Sequence, residues 1–412
     1  MKSTDNEFLA LKEELSETGE RIGIEAEDES EVMEPFDPAE IAIAQKIVPM
    51  DMLLRRLKQG SIILSPSFQR NEVWNNTRKS QLIESIMLRI PLPMFYVAED
   101  EAGNWEVVDG LQRLTAIKQF MMGDDNGVPL QLENLEFLEE RYGKKTWKVI
   151  EDDRNSQKLV NSIFETEMRF TVIEPGTPES VKRNIFKRIN TGGMPLTYQE
   201  IRHALYEGAS SRLLRELVNS DEFLTAIGKR IDDSRMGATE LVLRLVAFMI
   251  FPREFYSGMD SWLSNAMQVI NAMPNPNQET IDKIFNNDRR IYLLAQSEDE
   301  IRSRFKLAMI RASEIFGGHA FRKSNYWDTR KSPINKSLFE VWGNVLSELS
   351  DDEYNLLLQN KHLVRKYQAE LFTSDDFSNS ISRHSSRIRG VLDSYNQILE
   401  LVESILDGND DD

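Results

Sequence analysis

The chain has no cysteine in 412 residues and only four histidines, His203, His319, His362 and His384. The first lack excludes disulfides, thiolate nucleophiles and cysteine-based zinc sites, and the second leaves few ways to build a transition-metal centre. Long apolar runs are also missing. No stretch approaches the roughly 18 apolar residues that a membrane helix needs, so no membrane partner is expected. The N-terminus, MKSTDNEFLALKEEL, has no apolar core or small-residue cleavage site of the secretory kind, and the chain reads as cytoplasmic.

Positive charge is in short supply: 50 Lys and Arg face 68 Asp and Glu, for a net charge of −18. Spread evenly, that balance would argue against nucleic acid. It is concentrated at the ends instead. Residues 1–40 hold 14 acidic and 3 basic side chains and the final DGNDDD holds four acidic ones, which leaves 50 against 47 in the body. Residues 1–34 and 407–412 therefore read as acidic disordered tails. Their first role is solubility; the other reading is that they mimic nucleic acid and cover a basic site.

What is present describes a globular protein, with 40% hydrophobic and 29% charged residues and enough length for two or three cores. From Ile41 to Leu57 apolar and polar residues alternate and then take helical spacing, with Gly60 placed to end that helix. Asn76 or Thr77 is expected to cap the helix that follows, whose apolar face is Leu82, Ile83, Ile86 and Ile90 and which stops at Pro91. PMFYVAEDEAGNWEVVDG reads as a hairpin. Residues 123–160 mix glycine, charge and scattered aromatics, and read as a surface insertion. MRFTVIE, residues 168–174, is a strand. Thr197 and Glu200 make a capping box for the next helix, and everything beyond carries 3.6-residue spacing. The fold class is α+β, a mixed α/β domain over 35–200 followed by an all-α helical domain over 201–406.

The chain is organised around WEVVDGLQRLTAIK, residues 105–118, where a strand pattern gives way to a helix. Asp109 is placed to cap that helix, Gly110 lets another group approach the backbone, and Arg113 in the first turn has a guanidinium free to reach forward. Free amides and a cation at one helix N-terminus attract anions, phosphate above all. The plain alternative makes Asp109 an ordinary cap and Arg113 a solvated residue. PESVKRNIFKRIN offers a basic helix with Lys182, Arg183, Lys187 and Arg188. It can lie along a nucleic-acid backbone, or be a solvated charged face. The loop of Asn190, Thr191, Gly192 and Gly193 ends it with backbone free to turn left-handed.

Three segments, SPSFQRNEVWNNTRKSQLIESIMLRIPLPMFYVAE, VVDGLQRLTAI and FKRINTGGMPLTYQEIRHAL, resemble in order and spacing the signature blocks of the GmrSD-type restriction endonuclease N-terminal domain family. RMGATELVLRLVAF resembles a further block, so the resemblance covers roughly residues 36–260. It implies a ParB/sulfiredoxin-like α/β domain in which a helix N-terminus holds nucleotide phosphates. The family's Asp-Gly-Gln-Gln-Arg run is matched by Asp109, Gly110, Gln112 and Arg113, with Leu111 where the family usually has its first Gln. The resemblance further implies a role in restriction and antiphage defence, coupling nucleoside triphosphate hydrolysis to recognition of modified or phage DNA. His362 and His384 have no surroundings of the His-Asn-His nuclease kind that many such proteins carry.

The function expected is thus a nucleotide-binding, NTP-hydrolysing protein of DNA defence. Its catalytic residues would be Asp109, Gln112 and Arg113. Nucleotide contacts would fall on Gly110, Leu111, Gln69, Arg70, Arg188 and residues 190–193, and DNA contacts on Lys182, Arg183 and Lys187. Mg²⁺ is expected with the phosphates, with Asp109 to hold it. A partner nuclease or defence-system subunit, and a homo-oligomer, are the protein partners considered. Two alternatives stay open: a nuclease built on the same α/β domain, with Asp109 on the metal and Gln69 and Arg70 on the scissile phosphate, and a DNA-binding regulatory module without catalysis.

Overall fold

The computed structural model describes residues 14–15, 21–25, 42–64, 74–124, 126–178, 181–185, 197–228, 233, 236–285 and 291–408. The chain divides into two compact units, one of residues 34–205 and the other of residues 1–33 with 206–412.

In the first unit, period-two patterns of β-branched and aromatic residues become the strands β1 (Ile43–Pro49), β2 (Ile62–Ile63), β3 (Phe95–Glu99), β4 (Trp105–Asp109) and β5 (Glu167–Ile173). They form one mixed five-stranded sheet in the order β1-β5-β3-β4-β2. β1 runs antiparallel to β5, with Ile43 facing Ile173, and β5 runs parallel to β3. β3 and β4 are the hairpin foreseen, with a register shift between Tyr96 and Val97, and β4 runs parallel to β2.

The helices α1 (Met50–Lys58), α2 (Asn76–Met87) and α3 (Leu111–Met122) follow β1, β2 and β4 in the chain. Asn75, one residue ahead of the sequence expectation, caps α2 by accepting from the Arg78 N–H at 2.9 Å. Alternation along the strands sorts side chains between two faces. Val97, Val107, Phe170 and Val172 pack with Leu53, Ile83, Ile86, Leu114 and Phe120 in the larger core. Ala98, Val108 and Ile173 meet Ile201 on the other face. Phe170 lies between Phe95 and Trp105, 5.1 Å from each ring.

Residues 123–160 are not the surface insertion their composition indicates. Leu130, Leu132, Leu135, Tyr142, Trp147 and Ile150 from this stretch are buried in the larger core. Its irregular backbone is satisfied by the buried Glu84 carboxylate, which accepts from the N–H groups of Glu136, Phe137 and Leu138 at 2.7–2.9 Å. A buried carboxylate with three amide donors is stable where an unpaired one is not. After β5, residues 181–185 are helical. The unit closes with α4 (Tyr198–Leu205), which begins in the expected capping box: the Thr197 N–H donates to Glu200 at 2.6 Å and the Glu200 N–H to the Thr197 hydroxyl at 3.1 Å.

Beyond residue 205 the regular elements of the second unit are helices among the described residues, apart from isolated bridges at Ile334. Its interior is built on α5 (Gly237–Ile250), α6 (Glu298–Phe316) and α7 (Lys336–Glu348). Arg244 and Glu340, both almost fully buried, pair at 3.2 Å, and Arg253 meets the second oxygen of Glu340. The helical spacing that the sequence carries beyond Glu200 is interrupted before Ala209.

The N-terminal acidic segment is not a tail throughout. Glu14–Leu15 pairs antiparallel with Arg21–Ile22. Ile24 is buried, and residues 23 and 25 exchange backbone hydrogen bonds with Ile334 at 2.8 and 2.7 Å. Glu25 also holds Lys323 at 2.6 Å and Asn335 at 2.8 Å. One apolar side chain and one carboxylate with two partners outweigh the acidic composition at this point.

Candidate functional site

The site is built where β4 ends and α3 begins. The sequence changes there from period two to period 3.6, and Gly110 makes the turn with φ +99°. A side chain at this position would be strained, and its Cβ would sit 2.3 Å from the Phe95 ring. Gly110 is also the N-cap of α3, and among the described residues no side chain caps it. The expectation that Asp109 caps the helix is therefore corrected: the Asp109 carboxylate is engaged elsewhere, which leaves the first amides of α3 without the usual Asp cap.

Its partner is Arg113, one helical turn on. The Arg113 Nη2 donates to Asp109 Oδ2 at 2.9 Å. The same guanidinium donates back to the backbone carbonyls of Pro93 and, at 3.3 Å, of Met94, just before β3. It lies 4.5 Å from the Phe95 ring. Only 11% of the Arg113 side chain is exposed, against 38% of Asp109. Burial lowers the Arg113 pKa from its ordinary value, opposed by the charge and hydrogen bond of Asp109. Arg113 is not a guanidinium free to reach forward. Its fork ties the start of β3 to the end of β4, and fixes one oxygen of Asp109 while leaving that carboxylate open to solvent.

Gln112 stands next to this clamp and accepts from the Trp74 N–H at 3.4 Å. Leu111 is partly buried and packs against the larger core. In this structure its side chain is a packing residue at the position where a Gln would carry polar atoms. Asp109, Gly110, Leu111, Gln112 and Arg113 thus converge within one turn of the chain. Gln69, Arg70, Lys187, Arg188, Asn190, Thr191, Gly192 and Gly193 lie outside the described residues. Arg183 is buried at 8% exposure, whereas Lys182 is only half-buried, so Lys182 and not Arg183 keeps access to solvent.

The sequence reading missed the carbonyls of Pro93 and Met94, the Phe95 ring and the Trp74 amide. All sit on other segments than α3. The one signal for them is the pair Pro91 and Pro93, which forces an extended backbone with unpaired carbonyls ahead of β3. Among the described residues no group of three or more His, Asp or Glu side chains converges as a protein-only metal centre requires. A single half-open carboxylate suits a different arrangement, the Mg²⁺ of a nucleotide site, which takes one or two protein carboxylates and completes its shell with phosphates and water. Among the described residues no helix is long and apolar enough to cross a membrane.

Residues 51–207 match the family model described as GmrSD restriction endonuclease, N-terminal domain. The match spans β2 to β5, α2, α3 and the Asp109–Arg113 turn, and leaves out β1. No curated protein matches the chain.

Proposed function

We propose, from a GmrSD restriction endonuclease N-terminal domain over residues 51–207, that this is a DNA-defence protein of the restriction or antiphage kind. In this reading its mixed sheet is of the ParB and sulfiredoxin type. The protein binds a nucleoside triphosphate at the start of α3, hydrolyses it, and couples nucleotide state to recognition of DNA. The observation that carries the reading is the matched domain, whose Asp109-Gly110-Leu111-Gln112-Arg113 run stands at a strand-to-helix turn with an uncapped helix N-terminus.

Each residue has a role that follows from its contacts. Gly110 keeps the approach to the helix amides clear, so that phosphate oxygens accept from the N–H groups of Leu111 and Gln112 in a favourable dipole. Arg113 is a positioning residue, holding Asp109 by one oxygen. The other oxygen would hold Mg²⁺, which would supply positive charge to the transferring phosphoryl group. Gln112, fixed through its carbonyl oxygen, keeps an NH₂ to donate to a phosphate or to an attacking water. Gln69, Arg70, Arg188 and the loop 190–193 supply the remaining donors around the nucleotide. DNA cutting then falls to a partner nuclease or another defence-system subunit.

The test incubates the purified protein with Mg²⁺ and each nucleoside triphosphate, with and without plasmid DNA. Phosphate release that Asp109→Asn abolishes is the expected result. Strand cutting without nucleotide turnover would favour a nuclease on the same domain, and neither activity would overturn hydrolysis.

A further inference from the structure

We propose that the loop of residues 317–335 in the helical unit is a single-stranded nucleic-acid contact, in which Trp327 stacks on an unpaired base while Arg330, Lys331 and Lys366 meet the flanking phosphates. The proposal rests on DNA being this protein's partner, and it places a contact where the matched domain does not reach.

Three observations meet in this loop. The first is exposed aromatic surface: Trp327 is 60% exposed and its neighbour Tyr326 53%. The second is that the ring next to Trp327 is already braced. Arg365, on α8 (Lys361–Leu371), lies 3.6 Å from the Tyr326 ring and anchors itself by donating from Nε to the Ile315 carbonyl at 2.6 Å. With Tyr326 held in this way, the segment that carries the neighbouring Trp327 is ordered beforehand, and little conformational entropy is lost when a base stacks on it.

The third observation is charge. In a chain of net charge −18, residues 317–335 hold His319, Arg322, Lys323, Arg330 and Lys331 against one acid, Asp328. α8 adds Lys361, His362, Arg365 and Lys366 against Glu370. Asp328 is spent inside the loop, where it accepts from the Asn325 N–H at 2.6 Å. Among the described residues Lys323 is the cation of this loop that meets a carboxylate, Glu25 at 2.6 Å. The crowding shows at His319, which donates to or accepts from Ser324 at 2.9 Å. Burial, with Lys331, Arg322 and Arg365 nearby, lowers its pKa from the ordinary value although Asp328 pulls the other way.

Exposed aromatics alone would suit a protein partner as well. Exposed aromatics among cations that meet no carboxylate among the described residues suit a polyanion with flat faces, and base stacking is available only where bases are unpaired. The contact is accordingly specific for single strands over duplex and tolerant of sequence.

Fluorescence anisotropy of the full chain, without nucleotide, with a labelled oligothymidine strand and a duplex of equal length tests this. Wild type is expected to bind the single strand more tightly, and Trp327→Ala to weaken that binding on the order of tenfold. Trp327→Phe should restore most of it. The double substitution Arg330→Ala with Lys331→Ala should reduce the slope of log affinity against log salt by roughly one to one and a half. Because these side chains are exposed, melting temperatures should not move. Asp109→Asn should bind the strand as wild type does, so that failure of the nucleotide site and failure of the loop are read separately. Equal binding by wild type and Trp327→Ala overturns the proposal; no binding of either strand by wild type overturns it together with DNA as the partner.

Discussion

Arg113→Ala should open the junction between β3 and β4 before it changes anything else. The side chain makes a charge-assisted bond to Asp109 at 2.9 Å, donates to the carbonyls of Pro93 and Met94, and covers Phe95 at 4.5 Å. Losing a hydrogen bond to a charged group costs about 1.5–3 kcal/mol when the partner stays dry. Here Asp109 is 38% exposed and regains water, which discounts the ion pair toward the value of surface pairs. The sum expected is about 2–3 kcal/mol of local stability, a factor on the order of 30 to 150 in the opening equilibrium. Hydrogen–deuterium exchange of peptides covering residues 93–97 and 109–116 reads that opening directly, whereas whole-chain unfolding would mix two units. Nucleotide affinity should fall with it, because Asp109 loses its orientation. Arg113→Lys keeps the charge but not the fork, and should recover only part of the protection. Unchanged exchange in Arg113→Ala, with lost nucleotide binding, would refute the clamp and make Arg113 a direct ligand.

Gly110→Ala meets both a left-handed backbone and the Phe95 ring, so it should cost about 2 kcal/mol or more and abolish nucleotide binding; a stable variant that binds normally would show that the turn tolerates a side chain. Leu111→Gln places an amide against the core and should cost roughly 1–3 kcal/mol of stability, read as a lower melting temperature, without added turnover; increased hydrolysis would instead assign chemistry to this position. Deleting residues 1–25 should lower the melting temperature of the helical unit, since Ile24 and Glu25 leave with them; an unchanged melting curve would show that the bridge to Ile334 contributes nothing. For Glu99, burial alone would raise the pKa, but hydrogen bonds from Lys46 and Trp105 and the charges of Lys46 and Arg56 hold it below the ordinary 4.5. Its folded value lies under its unfolded one, so this stabilisation is present above about pH 4.5 and is lost as pH falls through the folded value. Glu99→Gln should flatten that part of the stability profile, which acid titration followed by fluorescence measures.

The sequence by itself determined the hairpin, the turn at Asp109 and Gly110, the capping box at Thr197 and the helical spacing beyond, because each is a local pattern of a few residues. It also carried the resemblance that residues 51–207 bear out. Only the tertiary structure decided what Arg113 does. Its partners include backbone carbonyls 19 and 20 residues earlier, brought near by strand pairing, and no spacing rule reports a contact made across a sheet. The same holds for the aperiodic stretch 123–160, whose burial depends on the Glu84 carboxylate accepting from three distant amides. It holds for Ile24 and Glu25 as well, where acidic composition pointed to solvent and a single strand-like pairing with Ile334 supplied the partners. Composition averages over a segment, whereas burial is settled residue by residue by whichever surface the fold brings against it.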